Sequence, residues 1–172
     1  MIYCPYCDAE NIEGADLCSG CSQPLRELHL TPPSSEVEKS LLIDRMKALQ
    51  PKAPIVVPDT MTVSEVLKFL VEKGIGCVFV ADGDEIAGVF TERDAFMRLD
   101  LDSGDYRDQP ISAFMTATPK SLTDESKVAF AVRMMDQGGY RHILILDDSG
   151  QPSGVTSVRD ILRYLSERVA SA

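Results

Sequence analysis

Gly88-Val89-Phe90-Thr91-Glu92-Arg93-Asp94 and Gly154-Val155-Thr156-Ser157-Val158-Arg159-Asp160 are one seven-residue pattern written twice, 66 residues apart. Each copy runs from glycine through two apolar or small residues to a hydroxyl side chain, and reaches an aspartate three positions later. An apolar stretch closing on Thr or Ser is how a strand hands over to a helix, because the hydroxyl caps the first free amides. Those amides and the positive end of the helix dipole then face whatever lies beyond the strand. The hydroxyl is suited to a sugar or phosphate oxygen, and the aspartate to a pair of ribose hydroxyls. Capping alone is the other role these residue types serve, and the motif by itself leaves both open.

Working outward, a shift of 65 residues pairs Pro54 with Pro119, Asp59 with Asp124, Val63 with Val128, Gly74 with Gly139 and Val78 with Ile143. After one inserted residue the shift becomes 66 and pairs Leu99 with Leu165. Residues 51–172 are therefore two copies of one unit. A short strand at 55–57 (120–122 in the second copy) leads to a helix at 63–73 (127–137) that glycine ends. Two strands follow, 77–81 and 86–90 (142–146 and 152–156), joined through Asp82-Gly83-Asp84 and Asp147-Asp148-Ser149-Gly150, residues that turn a hairpin. Second helices begin near Arg93 and Val158.

This β-α-β-β-α unit, present twice, resembles the cystathionine β-synthase (CBS) domain pair over residues 40–168, and both heptads fit that family's ribose-phosphate pattern. The resemblance implies a mixed α+β and α/β fold in which two repeats form a Bateman-type module. It also implies clefts for adenosine-containing ligands such as AMP, ADP, ATP or S-adenosylmethionine, and a homodimer built through the repeats. Carried onto this chain, the contacts are Thr91, Arg93 and Asp94 in the first copy and Ser157, Arg159 and Asp160 in the second. Ile55 and Lys120 sit on the flanking strands, whose backbone would read an adenine edge.

The copies differ where phosphates would lie. Arg141-His142 opens the middle strand of the second copy, and Gly76-Cys77 that of the first. Arginine's planar fork of donors suits phosphate oxygens, so the second copy is the better anion site. Cys77 reads as a buried structural thiol.

Ahead of the repeats, Cys4-Pro5-Tyr6-Cys7 and Cys18-Ser19-Gly20-Cys21 form two Cys-x-x-Cys pairs ten residues apart. Two such turns bring four sulfurs to one tetrahedral metal ion and leave it no open position, the pattern of a structural site. With Asn11 between the pairs and Pro24-Leu25 after them, residues 1–27 resemble the short zinc-ribbon family. Zinc is the expected metal. Four thiolates also accept iron, which would make the segment a rubredoxin-like electron carrier. Asp8, Glu10, Glu13, Asp16 and Glu27 against Arg26 point to protein contact rather than nucleic acid.

Residues 28–50 read as a linker, rich in Pro and Ser, followed by a helix at 36–49 capped by Ser35 with Glu38. The division expected is a ribbon at 1–27, linker and connecting helix at 28–50, and repeats at 51–105 and 106–172. The net charge of −10 lacks the basic face that phosphate backbones need. Apolar runs fall far short of the roughly 20 residues that span a bilayer, and no signal core opens the chain, so a cytoplasmic protein is expected. His29 and His142 are its only histidines, and no catalytic triad or phosphate loop is present. The reading is a non-enzymatic regulator acting on an unidentified protein partner, with an empty-repeat scaffold as the alternative.

Overall fold

Two hairpins and the helices that follow them carry the architecture of the computed structural model, which describes residues 1–4, 9–12, 14–25, 35–100 and 102–170. Strands β1 (Ile2–Tyr3) and β2 (Glu10–Asn11) pair antiparallel, and helix α1 (Glu36–Ile43) follows. The first repeat comprises β3 (Val56–Pro58), α2 (Val63–Lys73), β4 (Cys77–Asp82), β5 (Glu85–Thr91) and α3 (Glu92–Arg98). After β6 (Thr116–Ala117), the second comprises β7 (Ser121–Thr123), α4 (Val128–Gly138), β8 (His142–Leu146), β9 (Pro152–Ser157) and α5 (Val158–Ala170).

Local chemistry sets these bounds. Helix α2 starts at a reciprocal cap: the Thr62 hydroxyl accepts the Glu65 amide at 3.4 Å, and the Glu65 carboxylate accepts the Thr62 amide at 2.9 Å. It stops at Gly74, and α4 stops at Gly139; both are left-handed, with φ of 61° and 65°, where a side chain would be strained. In each repeat a short first strand runs parallel to the second, which pairs antiparallel with the third, giving the orders β3-β4-β5-β6 and β7-β8-β9. The registers break at equivalent places, Val80/Ala81 and Ile145/Leu146.

Packing divides the chain differently from the repeats. One unit is Ala53–Lys120, and the other joins Met1–Lys52 to Ser121–Ala172. Residues 106–120, expected with the second repeat, complete the first: Ile111 is fully buried with Val63, Val80 and Phe90, and β6 pairs with β5. Met46 and Leu49 instead enter the second repeat's core beside Val128, Ile143 and Ile161, and Lys52 pairs with Val155 through two backbone hydrogen bonds. In each unit, the segment preceding the other repeat supplies an edge partner for the last strand.

The helix expected over 36–49 is shorter. Ser35 caps its start as read, accepting the Glu38 amide at 3.1 Å. The helix ends at Ile43 because Asp44 turns extended to meet the second repeat: its carbonyl accepts the Val128 amide at 2.9 Å, and Met46 donates to the Ser126 carbonyl at 2.8 Å. A 3-10 turn, Met46–Leu49, then delivers two apolar side chains to the core. Among the described residues no helix is long and apolar enough to cross a membrane.

Candidate functional site

At the end of β5, Thr91 is the N-cap of α3. Its amide and hydroxyl donate to one Asp94 oxygen at 3.0 and 2.6 Å, and its hydroxyl oxygen accepts the Asp94 amide at 3.2 Å. The other Asp94 oxygen accepts from Thr116 Oγ1 at 3.0 Å and lies 3.4 Å from the Arg98 guanidinium. At the end of β9 the same device recurs. Ser157 donates its amide and hydroxyl to one Asp160 oxygen at 2.9 and 2.6 Å, and Arg163 reaches the other at 2.9 Å.

Burial raises the Asp160 pKa, but bonds from the Ser157 hydroxyl and amide, with the charges of Arg163 and Lys52, outweigh it and hold the carboxyl below its ordinary value. The group is therefore an ionised acceptor at neutral pH.

The structure gathers the second-copy residues around this junction. His142 pairs with Ser157 across β8 and β9, and the Arg141 carbonyl accepts the first amide of α5, from Val158, at 3.1 Å. Arg141 and Arg159 are exposed and His142 is half-buried. In the first copy Cys77 pairs with Thr91, and Gly76 accepts the Glu92 amide. Arg93 is exposed. Ile55 lies against the first repeat's core with its carbonyl accepting the Phe79 amide at 2.8 Å, and Lys120 is an exposed residue just before β7. Burial, then the Glu92 charge, pushes the Cys77 thiol up to about 12.

A cavity of about 550 Å³ lies elsewhere in the second unit. Ser121, Thr123, Glu125, Phe130 and Leu146 line it together with Arg45 and Cys21. It contains none of the candidate nucleotide contacts.

Three sulfurs converge near the amino terminus. The Sγ atoms of Cys4, Cys18 and Cys21 lie within 4.8 Å of one another, with Cys4 and Cys21 at 3.7 Å; Cys7 falls outside the described residues. Burial raises the Cys18 pKa, yet amide bonds from Cys21 and Gly20, the Asn11 carboxamide and Cys4 together bring the thiol down to about 6. Asn11, 5% exposed, spans the cluster: its carboxamide donates to the Ala9 carbonyl at 2.7 Å and to Cys18 Sγ at 3.5 Å, and accepts the Ser19 amide at 2.8 Å.

Sequence reasoning missed Arg98, Thr116 and Lys52 as neighbours of the two aspartates. The exchange of edge strands brings Thr116 and Lys52 there, and no local pattern marks it.

A duplicated β-α-β-β-α unit, each copy closing its last strand on a hydroxyl and an acid at a helix start, defines a tandem-repeat α/β protein with two matching strand-to-helix junctions. The CBS domain pattern matches residues 47–100 and 111–167, and the chain belongs to the CBS domain family. An uncharacterized 17.7 kDa protein of Acidianus ambivalens is 32% identical over 114 residues, covering 64% of this chain and 66% of that one. The chain spans between 25% and 66% of the length of the first curated relatives it matches. Among solved structures, a CBS-domain containing protein from Agrobacterium tumefaciens superposes with a TM-score of 0.66 at 23% identity, covering 70% of this chain and 98% of that one. A CBS domain protein from Pyrobaculum aerophilum, complexed with AMP, gives 0.61 at 26% identity, covering 75% and 100%.

Proposed function

We propose that this chain is a regulatory protein without catalytic activity of its own, which binds an adenosine-containing nucleotide in its CBS repeats and passes occupancy to a protein partner. The observation that carries the reading is the Ser157–Asp160 junction. A half-buried, ionised carboxylate and a hydroxyl stand at the start of a thirteen-residue helix, with His142 on the neighbouring strand and Arg141 just before it. Asp160 accepts the ribose hydroxyls, Ser157 and the positive end of α5 meet phosphate, and Arg141 adds charge. The AMP complex of the Pyrobaculum relative supports the ligand class. The proposal includes a homodimer built through the repeats and a cytoplasmic location.

Residues 1–27 serve as a zinc ribbon. Tetrahedral zinc with bonds near 2.3 Å sets its sulfurs about 3.8 Å apart, and the Cys4–Cys21 separation of 3.7 Å matches that edge. Cys4, Cys7, Cys18 and Cys21 would hold the ion, which supplies folding free energy to a segment too small to fold on apolar burial. Its acidic composition suits a protein partner.

Calorimetric titration and thermal unfolding with AMP, ATP and S-adenosylmethionine test the nucleotide. A ligand bound only by the folded state at a hundred times its Kd adds about 2.7 kcal/mol. Asp160→Ala should abolish measurable binding while leaving the fold intact. No response to any of the three overturns the reading and leaves a metal-bearing adaptor.

A further inference from the structure

The two junctions share a motif but not a state, and we infer that each chain binds one adenosine nucleotide, at the second repeat, because its own chain latches the first repeat's aspartate. This rests on the nucleotide reading above and adds to it the number, the place and the residues that close the other cleft. A carboxylate has about four acceptor positions. Asp94 spends all of them internally: two bonds from Thr91, one from Thr116 and the ion pair with Arg98. None remains for a ribose.

Arg98 does not swing away freely. The same guanidinium donates to the carbonyls of Phe114 at 3.0 Å and Met115 at 2.7 Å, and to Thr116 Oγ1 at 2.9 Å. The strap running into β6 is thus fastened to α3 at three points, and Thr116 closes the circuit onto Asp94. Met115 also lies on Gly88, the first residue of the motif, where any Cβ would collide with it. Admitting a ribose to Asp94 requires the Thr116 and Arg98 contacts to break and the strap to lift.

The second repeat cannot build this latch. The position matching Arg98 is Tyr164, a buried residue whose hydroxyl donates to Asp44. Thr116 faces Val89, and at the equivalent place Lys52 faces Val155, so lysine stands where the first repeat has its threonine. Pro51 covers Gly154 as Met115 covers Gly88, and Lys52 brings a charge near Asp160 but no hydroxyl, so the carboxylate's hydrogen bonds come from Ser157 and Arg163. Asp160 therefore keeps one oxygen whose hydrogen bond comes from Arg163 alone, from a half-exposed position on α5, with the Lys52 charge nearby. That contact yields to a ribose without moving the backbone. The helices differ in the same sense: α3 has seven residues and α5 thirteen.

The test is AMP stoichiometry on the full chain by titration calorimetry, with thermal unfolding run on every variant to verify folding. The expected results are one equivalent per parent chain, none for Asp160→Ala, and two for Arg98→Ala/Thr116→Ala. Adding Asp160→Ala to the latch variant should return it to one. Two equivalents in the parent, or one retained in Asp160→Ala, overturns the assignment while leaving nucleotide binding standing. A folded latch variant that stays at one equivalent overturns the latch. If the parent binds no adenosine ligand, the functional reading falls and this inference with it.

Discussion

The Tyr164 hydroxyl donates to the Asp44 carboxylate at 2.8 Å, tying helix α5 to the end of α1 across 120 residues of chain. Arg168 donates to the same oxygen at 2.7 Å and stacks over the Tyr164 ring with 5.0 Å to its centroid. This three-residue knot ends α1 and steers Met46 and Leu49 into the second repeat. Tyr164→Phe keeps the buried ring and removes one donor, so it should cost about 1 kcal/mol. Asp44→Ala leaves a buried hydroxyl without its acceptor and should cost about 2 kcal/mol. Urea unfolding with an unchanged m-value would read both; no loss in either would show that the ring, not the bond, carries the contact.

Thr156 occupies the position that Phe90 fills in the first repeat, and both are fully buried. The Thr156 hydroxyl has no hydrogen-bond partner among the described residues. A buried hydroxyl without a partner forfeits its hydration for nothing. Thr156→Val has nearly the same shape and should stabilise the protein by about 1 kcal/mol, seen as a higher urea midpoint. A loss of stability would mean that an ordered water satisfies the oxygen.

The parts of the fold that the sequence displays are those fixed by neighbours a few residues apart. Thr62, Glu65 and Gly74 mark both ends of α2, and its expected bounds are the observed ones. The spacing of Cys4, Cys18 and Cys21 announces a cluster, and the sulfurs converge. The heptads place Thr91 beside Asp94 and Ser157 beside Asp160 because three residues make one helical turn. The hidden parts come from distant partners. Nothing near Asp44 says that the helix must stop there, since its reasons are Tyr164, Arg168 and Val128. Nor does either heptad reveal that Thr116 and Arg98 share Asp94, because that depends on a strap which belongs by repeat to one half and packs with the other.

Cys77 carries the opposite chemistry from the cluster. Burial first, and the Glu92 charge second, raise its thiol from the ordinary 9.0 to about 12. A group whose folded pKa lies above its unfolded value stabilises fully below the unfolded pKa and stops doing so as pH climbs from about 9 towards about 12. The thiolate is the reactive form. At pH 8 iodoacetamide should leave Cys77 unmodified in the native protein and modify it completely in denaturant, as peptide mass spectrometry would show. Rapid native labelling would mean that β4 opens at its first residue far more readily than its packing implies.

Asn11 offers the most specific check on the cysteine cluster. Its side chain donates to Cys18 Sγ and the Ala9 carbonyl and accepts from Ser19, so it aligns one sulfur of the cluster with the segments on either side. Outer residues of this kind alter metal affinity by about 10- to 100-fold. On zinc-loaded full chain, Asn11→Ala should lower zinc affinity at least tenfold in competition with a chromophoric chelator. Asn11→Asp keeps an acceptor for Ser19, but it loses the donor to sulfur and sets a negative charge against a thiolate, so it should weaken affinity further. Cys18→Ser should abolish binding and unfold the ribbon, while the thermal transition of the repeats stays in place. If Asn11→Ala retains zinc as the parent does, the carboxamide serves the hairpin alone.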